Sequence, residues 1–95
     1  MPAISDDMNS ALRAKGVSAS GATSDLIRDW LLSEVPGATA ISTPDLWSAF
    51  FEKYSVPPGS HNDRMATYLD ALGYAGLADL NSKLAQWAAD GMPTA

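Results

Sequence analysis

Residues 43–54 read T-P-D-L-W-S-A-F-F-E-K-Y. Thr43, Pro44 and Asp45 have the character of a helix start: an oxygen-bearing cap, a proline at the first helical position and a carboxylate in the first turn. Behind that start, Leu46, Trp47, Phe50, Phe51 and Tyr54 recur at three- and four-residue intervals, which places them along one broad side of a helix. No other segment carries so large an apolar payload. The fold therefore turns on what else in the chain can pack against this stripe. Val56-Pro57-Pro58-Gly59 ends the segment, because a residue before proline avoids the helical region and Pro58 cannot donate a backbone hydrogen bond.

Similar grammar recurs on either side. Upstream, Thr23 is expected to cap a helix that turns Leu26, Ile27, Trp30, Leu31 and Val35 inward and stops at Pro36-Gly37. Further upstream, a weakly amphipathic helix is expected to begin after Ser5 and run through Met8, Ala11 and Leu12 until Gly16. Downstream, Ser60 is expected to cap a helix with Met65, Tyr68, Leu69 and Leu72 inward, Arg64, Thr67 and Asp70 outward, and Gly73 as a left-handed stop. A fifth helix is expected from about Leu77 or Asp79 through Leu80, Leu84, Trp87 and Ala88 to Gly91, followed by a short tail at 92–95. No segment alternates as a strand would. The fold class is all-α: a compact bundle of four to five short helices forming one domain over residues 1–95, with residues 1–20 as a weakly packed helix and linker.

The helix starts share a spacing. Asp25 precedes Trp30 by five residues, Asp45 precedes Phe50 by five, and Asp63 precedes Tyr68 by five; Trp87 lies five after Ser82 in a looser match. Capped helices with core faces at three- and four-residue spacing generate this echo without repeat ancestry, and a duplicated helix unit of roughly 20 residues would be short for helical repeats. On either origin the aromatics converge on one interior. That interior is thin, since 16 of the 95 residues are Ala and burial must come from the larger side chains. Small domains with such cores gain from packing on copies of themselves or on a partner.

Composition excludes several classes of function. The absence of Cys rules out disulfides and thiolate metal sites, and a lone histidine, His61, cannot build a His-rich one. Asp25 and Asp29 lie one turn apart but read as a solvated face, and no Asx-rich loop has calcium-binding spacing. The seven glycines are spaced as helix terminators and turns, not as a phosphate cradle. A net charge of −5 with scattered cations argues against nucleic acid, including a helix-turn-helix reading around Arg64. Six of nine aspartates (6, 7, 25, 45, 63 and 79) fall at expected first turns, where they offset the helix dipole. The N-terminal residues carry no basic region or apolar run, and no stretch approaches a membrane span, so the expectation is a soluble chain made in the cytoplasm.

Ser60-His61-Asn62-Asp63 sets a hydroxyl, an imidazole, an amide and a carboxylate side by side. Neighbouring residues at a helix start project in different directions, whereas a nucleophile and its base must converge. Ser-x-x-Asp instead matches a capping arrangement. We expect no catalytic residue, no cofactor, no metal and no small-molecule substrate. Phe51, Tyr54 and Tyr74, at stripe edges or in turns, are the expected protein-contact residues, followed by Met8 and Leu12 of the first helix.

Residues 59–91 add a family resemblance. Gly59, Ser60, Asn62, Asp63, Tyr68, Leu69, Leu72, Gly73, Tyr74 and Gly76 match a segment recurring in small structural proteins of tailed bacteriophages: a Gly-Ser-x-Asn-Asp start, an aromatic-Leu helix and a Leu-Gly-Tyr-x-Gly turn before a second short helix. Asp79-Leu80-Asn81-Ser82 departs from the usual second start, and the match covers about a third of the chain. The resemblance implies a virion component of head, neck or tail, made in the host cytoplasm, contacting other virion proteins and copies of itself. It carries over no catalytic residue. The alternative is a cytoplasmic adaptor or regulator binding one partner protein through a helical surface; a small enzyme is a third class, without a supporting constellation.

Overall fold

The computed structural model describes residues 4–17, 22–37 and 42–94. Within them lie α1 (Ile4–Ala14), α2 (Thr23–Glu34), α3 (Thr43–Lys53), α4 (His61–Leu69) and α5 (Leu80–Ala89). A wider π-type turn, Asp70–Tyr74, ends α4. No strand occurs among the described residues. Each helix packs on its neighbours in sequence, and α5 closes on α1, so the five form a circuit. The resulting body is flattened, 33 × 32 × 19 Å, and its thin dimension is less than two helix diameters.

Aromatic side chains fill the middle of the circuit, as the shared spacing implied. Trp30 of α2 lies 5.2 Å from Phe50 of α3 and 6.1 Å from Trp87 of α5, centroid to centroid. Tyr68 of α4 completes the loop, 5.1 Å from Phe50 and 6.3 Å from Trp87. These pairs are tilted or edge-to-face, the arrangements that ring quadrupoles favour. Leu26, Leu31, Leu46 and Leu69 are fully buried around them.

The caps of α2 and α3 fall one residue before the expected ones. α3 begins one residue early: Ser42, not Thr43, is its cap, with the hydroxyl accepting from the Asp45 N–H at 3.3 Å. α2 has Ala22 at its cap position and no side-chain cap. Thr23 instead ties α2 to α1, because its hydroxyl donates to the Ser5 carbonyl and accepts from Asn9. Partly through that tie α1 is seated more deeply than its sequence suggested, with Leu12 fully buried and Ala11 nearly so. At α5, Asp79 is the cap, accepting from the Ser82 N–H at 2.7 Å, and that bond holds its carboxyl below the usual range.

The ends of α1, α3 and α5 follow one device. Val17, Val56 and Met92 each donate a backbone hydrogen bond five residues back, to Leu12, Phe51 and Trp87 respectively, at or just after a residue with positive φ. In this termination the left-handed backbone turns the chain so that an apolar residue packs on the core. Val56 and Met92 are buried by it, and Val17 is partly so. The 92–95 tail is therefore structural at its start: Met92 is inaccessible and the Trp87 indole donates to the Pro93 carbonyl at 2.8 Å. Gly16 and Gly91 supply the positive φ for α1 and α5, but α3 uses Ser55, at φ 60°.

That serine yields a test. A left-handed conformation costs an L-residue about 1–2 kcal/mol, and glycine's greater unfolded-state freedom costs about 0.5–1. Ser55→Gly should therefore stabilise the fold by roughly 0.5 kcal/mol in urea denaturation. A loss of stability would contradict this account of the α3 terminus.

Candidate interaction surface

The Ser60–Asp63 stretch is a helix start. Ser60 Oγ accepts from the Asp63 N–H at 3.2 Å, and His61 occupies the first position of α4. The imidazole is exposed but leans on the core, with its centroid 5.7 Å from both Trp47 and Phe51. Arg64, expected outward, folds back across the linker: its guanidinium donates to the carbonyls of Val56 and Pro57 and sits 5.3 Å from the Phe51 ring centroid. Among the described residues, no three His, Asp or Glu side chains gather as a metal site, and no helix is long and apolar enough to cross a membrane.

These contacts correct the expected exposure of Phe51. It is 1% exposed because the V-P-P-G linker is short and brings the first turn of α4 directly over its ring. Trp47, stacked at 5.7 Å, covers another side. Leu12, also expected at the surface, is fully buried between α1 and its neighbours. Neither side chain is open to a partner of the folded chain. Tyr54, Tyr74 and Met8 are half-buried against the core and keep an accessible edge. Tyr54 packs on Phe50 and Tyr68, with the Lys53 ammonium 5.2 Å from its ring centroid.

Tyr74 joins the turn after α4 to the end of α5. Its hydroxyl donates to Asp90 Oδ2 at 2.7 Å, while Gln86 donates to Asp90 Oδ1 at 2.9 Å. Burial and then the Asp90 hydrogen bond push the phenol up to about 12. The same two donors hold the Asp90 carboxyl below its ordinary value, Tyr74 contributing most. A second link between these segments is Lys83, whose ammonium reaches Asp70 at 2.5 Å. Lys83 is 9% exposed and stands on the inward stripe of α5 with Leu80, Leu84 and Trp87, a placement the sequence pattern did not suggest. The signal was present in its spacing, three residues after Leu80 and four before Trp87.

Two surface depressions accompany these residues. One, of about 330 Å³, lies where Lys15, Gly16 and Val17 meet Asp29, Trp30 and Ser33. The Lys15 ammonium stands 6.0 Å from the Trp30 ring centroid there. The other, of about 340 Å³, runs between α1 and α5 and is lined by Ile4, Asp7, Leu77, Ser82, Ala85, Gln86 and Ala89. Sequence reasoning missed this groove because Ser82, Ala85 and Ala89 carry little apolar bulk to mark it.

No protein-family model, curated protein sequence or solved structure matches the chain.

The Tyr74–Asp90 bond has a definite pH signature. A raised phenol contributes stability that is present below its unfolded value near 10 and is lost as pH rises through about 12. A depressed carboxyl contributes stability above its unfolded value near 3.9 that is lost as pH falls through its lower folded value. Carbon NMR of the Tyr74 Cζ should give a midpoint near 12, and Asp90→Asn should lower it while leaving the burial effect in place. A midpoint unmoved by Asp90→Asn would show that the carboxylate does not hold the phenol.

Proposed function

We propose that this chain is a non-catalytic structural component that acts through protein–protein contacts, in the setting of a tailed-phage particle. The observation that carries the contact role is the disposition of its reactive groups. Ser60 caps a helix, Asp63 supplies the N–H that Ser60 receives, and His61 rests on Trp47 and Phe51 without a side-chain acid or nucleophile bonded to it in that cap. A nucleophile and base must meet and be oriented by a third group, and these side chains are directed elsewhere.

What the molecule offers outward is contact area: the edges of Tyr54, Tyr74 and Met8, and the groove between α1 and α5. Aromatic residues with a buried body and an accessible polar tip are common anchors at interfaces. The virion setting is supported by the resemblance of residues 59–91 to a segment of phage structural proteins, with Gly59 through Gly76 carrying the match. A thin core that gains from neighbours suits repeated assembly, with other virion proteins and copies of the chain as partners. A cytoplasmic adaptor using the same surface is the second reading, favoured by the net charge of −5, which suits a single basic partner.

Quantitative mass spectrometry of purified particles tests the first reading. The chain should be present at a fixed, many-fold copy number, and Tyr54→Ser together with Tyr74→Ser should lower that number without unfolding the free protein. Absence of the chain from particles, with one-to-one binding to a host protein, would replace the assembly reading with the adaptor.

A further inference from the structure

The groove between α1 and α5 has a chemistry that selects its occupant. Its floor is apolar and low: Ile4 and Leu77 are half-buried, and Ala85 and Ala89 add no bulk. Ser82, Ala85 and Ala89 recur at three and four residues on one face of α5, so a ridge of larger side chains from another helix can enter between α5 and α1. The rim is acidic. Asp7 lines the groove directly; outside the lining, Asp79 accepts from the N–H of the lining residue Ser82, and Asp90 accepts from the lining residue Gln86 and from Tyr74.

Among the described residues, no cation forms an ion pair with these carboxylates. None of the chain's six Lys and Arg residues lines the groove. Arg13 donates to Asn9, Lys53 to Glu34 and Arg64 to the 56–57 linker, while Lys15 stands over Trp30 at the other depression. Lys83 is bonded to Asp70, and its field is the smallest of the influences on Asp79. A second copy placed on the groove would bring a further −5 charge against an acidic rim. A segment carrying Lys or Arg beside an apolar ridge satisfies both the floor and the rim.

We infer that the α1/α5 groove docks a cationic amphipathic helix of a partner protein, with apolar side chains seated between Ile4, Leu77, Ala85 and Ala89 and basic ones facing Asp7, Asp79 and Asp90. This rests on the contact role proposed above and names the partner's chemistry. The test is an amide NMR titration of the full chain with a synthetic amphipathic Leu/Lys helical peptide, using a Leu/Glu peptide of the same pattern as control. Shifts should centre on Asp7, Ser82, Ala85, Gln86 and Ala89. Affinity should fall with added salt, by about two- to fivefold for Asp7→Asn, and by about tenfold or more for Ala85→Gln with Ala89→Gln, which fills the floor.

Equal binding of the Leu/Glu peptide, or shifts spread over the acidic first turns of α2 and α3, would overturn the inference. So would self-association through the groove that excludes the peptide, since the occupant would then be a second copy. The two readings fail separately. Particles that incorporate the Ala85→Gln, Ala89→Gln chain at full copy number would overturn the groove assignment and leave the assembly role intact. Peptide docking in the groove by a chain absent from particles would do the reverse.

Discussion

Trp30, Phe50, Tyr68 and Trp87 touch in a closed loop, one ring from each of α2, α3, α4 and α5. Ring pairs of this kind contribute about 0.5–1.5 kcal/mol beyond the area they bury. Four such links sum to roughly 2–6 kcal/mol, a large part of the 5–15 kcal/mol by which a domain is ordinarily stable. Because the loop is closed, withdrawing any one of these helices breaks two links together. Its closure also allows a chain rich in alanine to hold a defined interior: the large side chains are few, but each meets two others.

The ends of the helices are built to serve that loop. Met92 is carried under α5 by the turn at Gly91, and the Trp87 indole is satisfied by the Pro93 carbonyl, so the residues after α5 complete the burial of its ring. Val56 is carried inward in the same way after Ser55, and Arg64 then fastens the linker that follows it. The ion pair of Lys83 with Asp70 and the bond from Tyr74 to Asp90 fix α5 against the end of α4. Polar residues at this junction set orientation, while the rings supply the burial. α1 and α5 present the groove on the side where the circuit of helices closes.

Much of this was legible in the chain. The stripe of Leu46, Trp47 and Phe50 announced the helix around which the others pack, and all three are buried. The five-residue offset between Asp and aromatic foretold that Trp30, Phe50 and Tyr68 would converge. Ser60 capped as its spacing implied, and Gly73 took its left-handed conformation. Misreadings occurred where a residue's role depends on a tertiary neighbour. Phe51 looked marginal on the α3 stripe, but α4 covers it; Thr23 resembled a cap, but Asn9 and Ser5 engage it. Lys83 stands on an apolar stripe because Asp70, thirteen residues away in the chain, meets its ammonium there. The groove left the faintest trace, since small side chains mark it by what they do not fill.

Native-state hydrogen exchange tests most directly whether the aromatic loop makes α2 to α5 one unit. Amides at Trp30, Phe50, Tyr68 and Trp87 should exchange with a common opening free energy equal to that of global unfolding, while α1, which adds no ring, opens at a lower value. Exchange of α5 or α2 through a separate opening well below the global value, with the other rings still protected, would contradict the account.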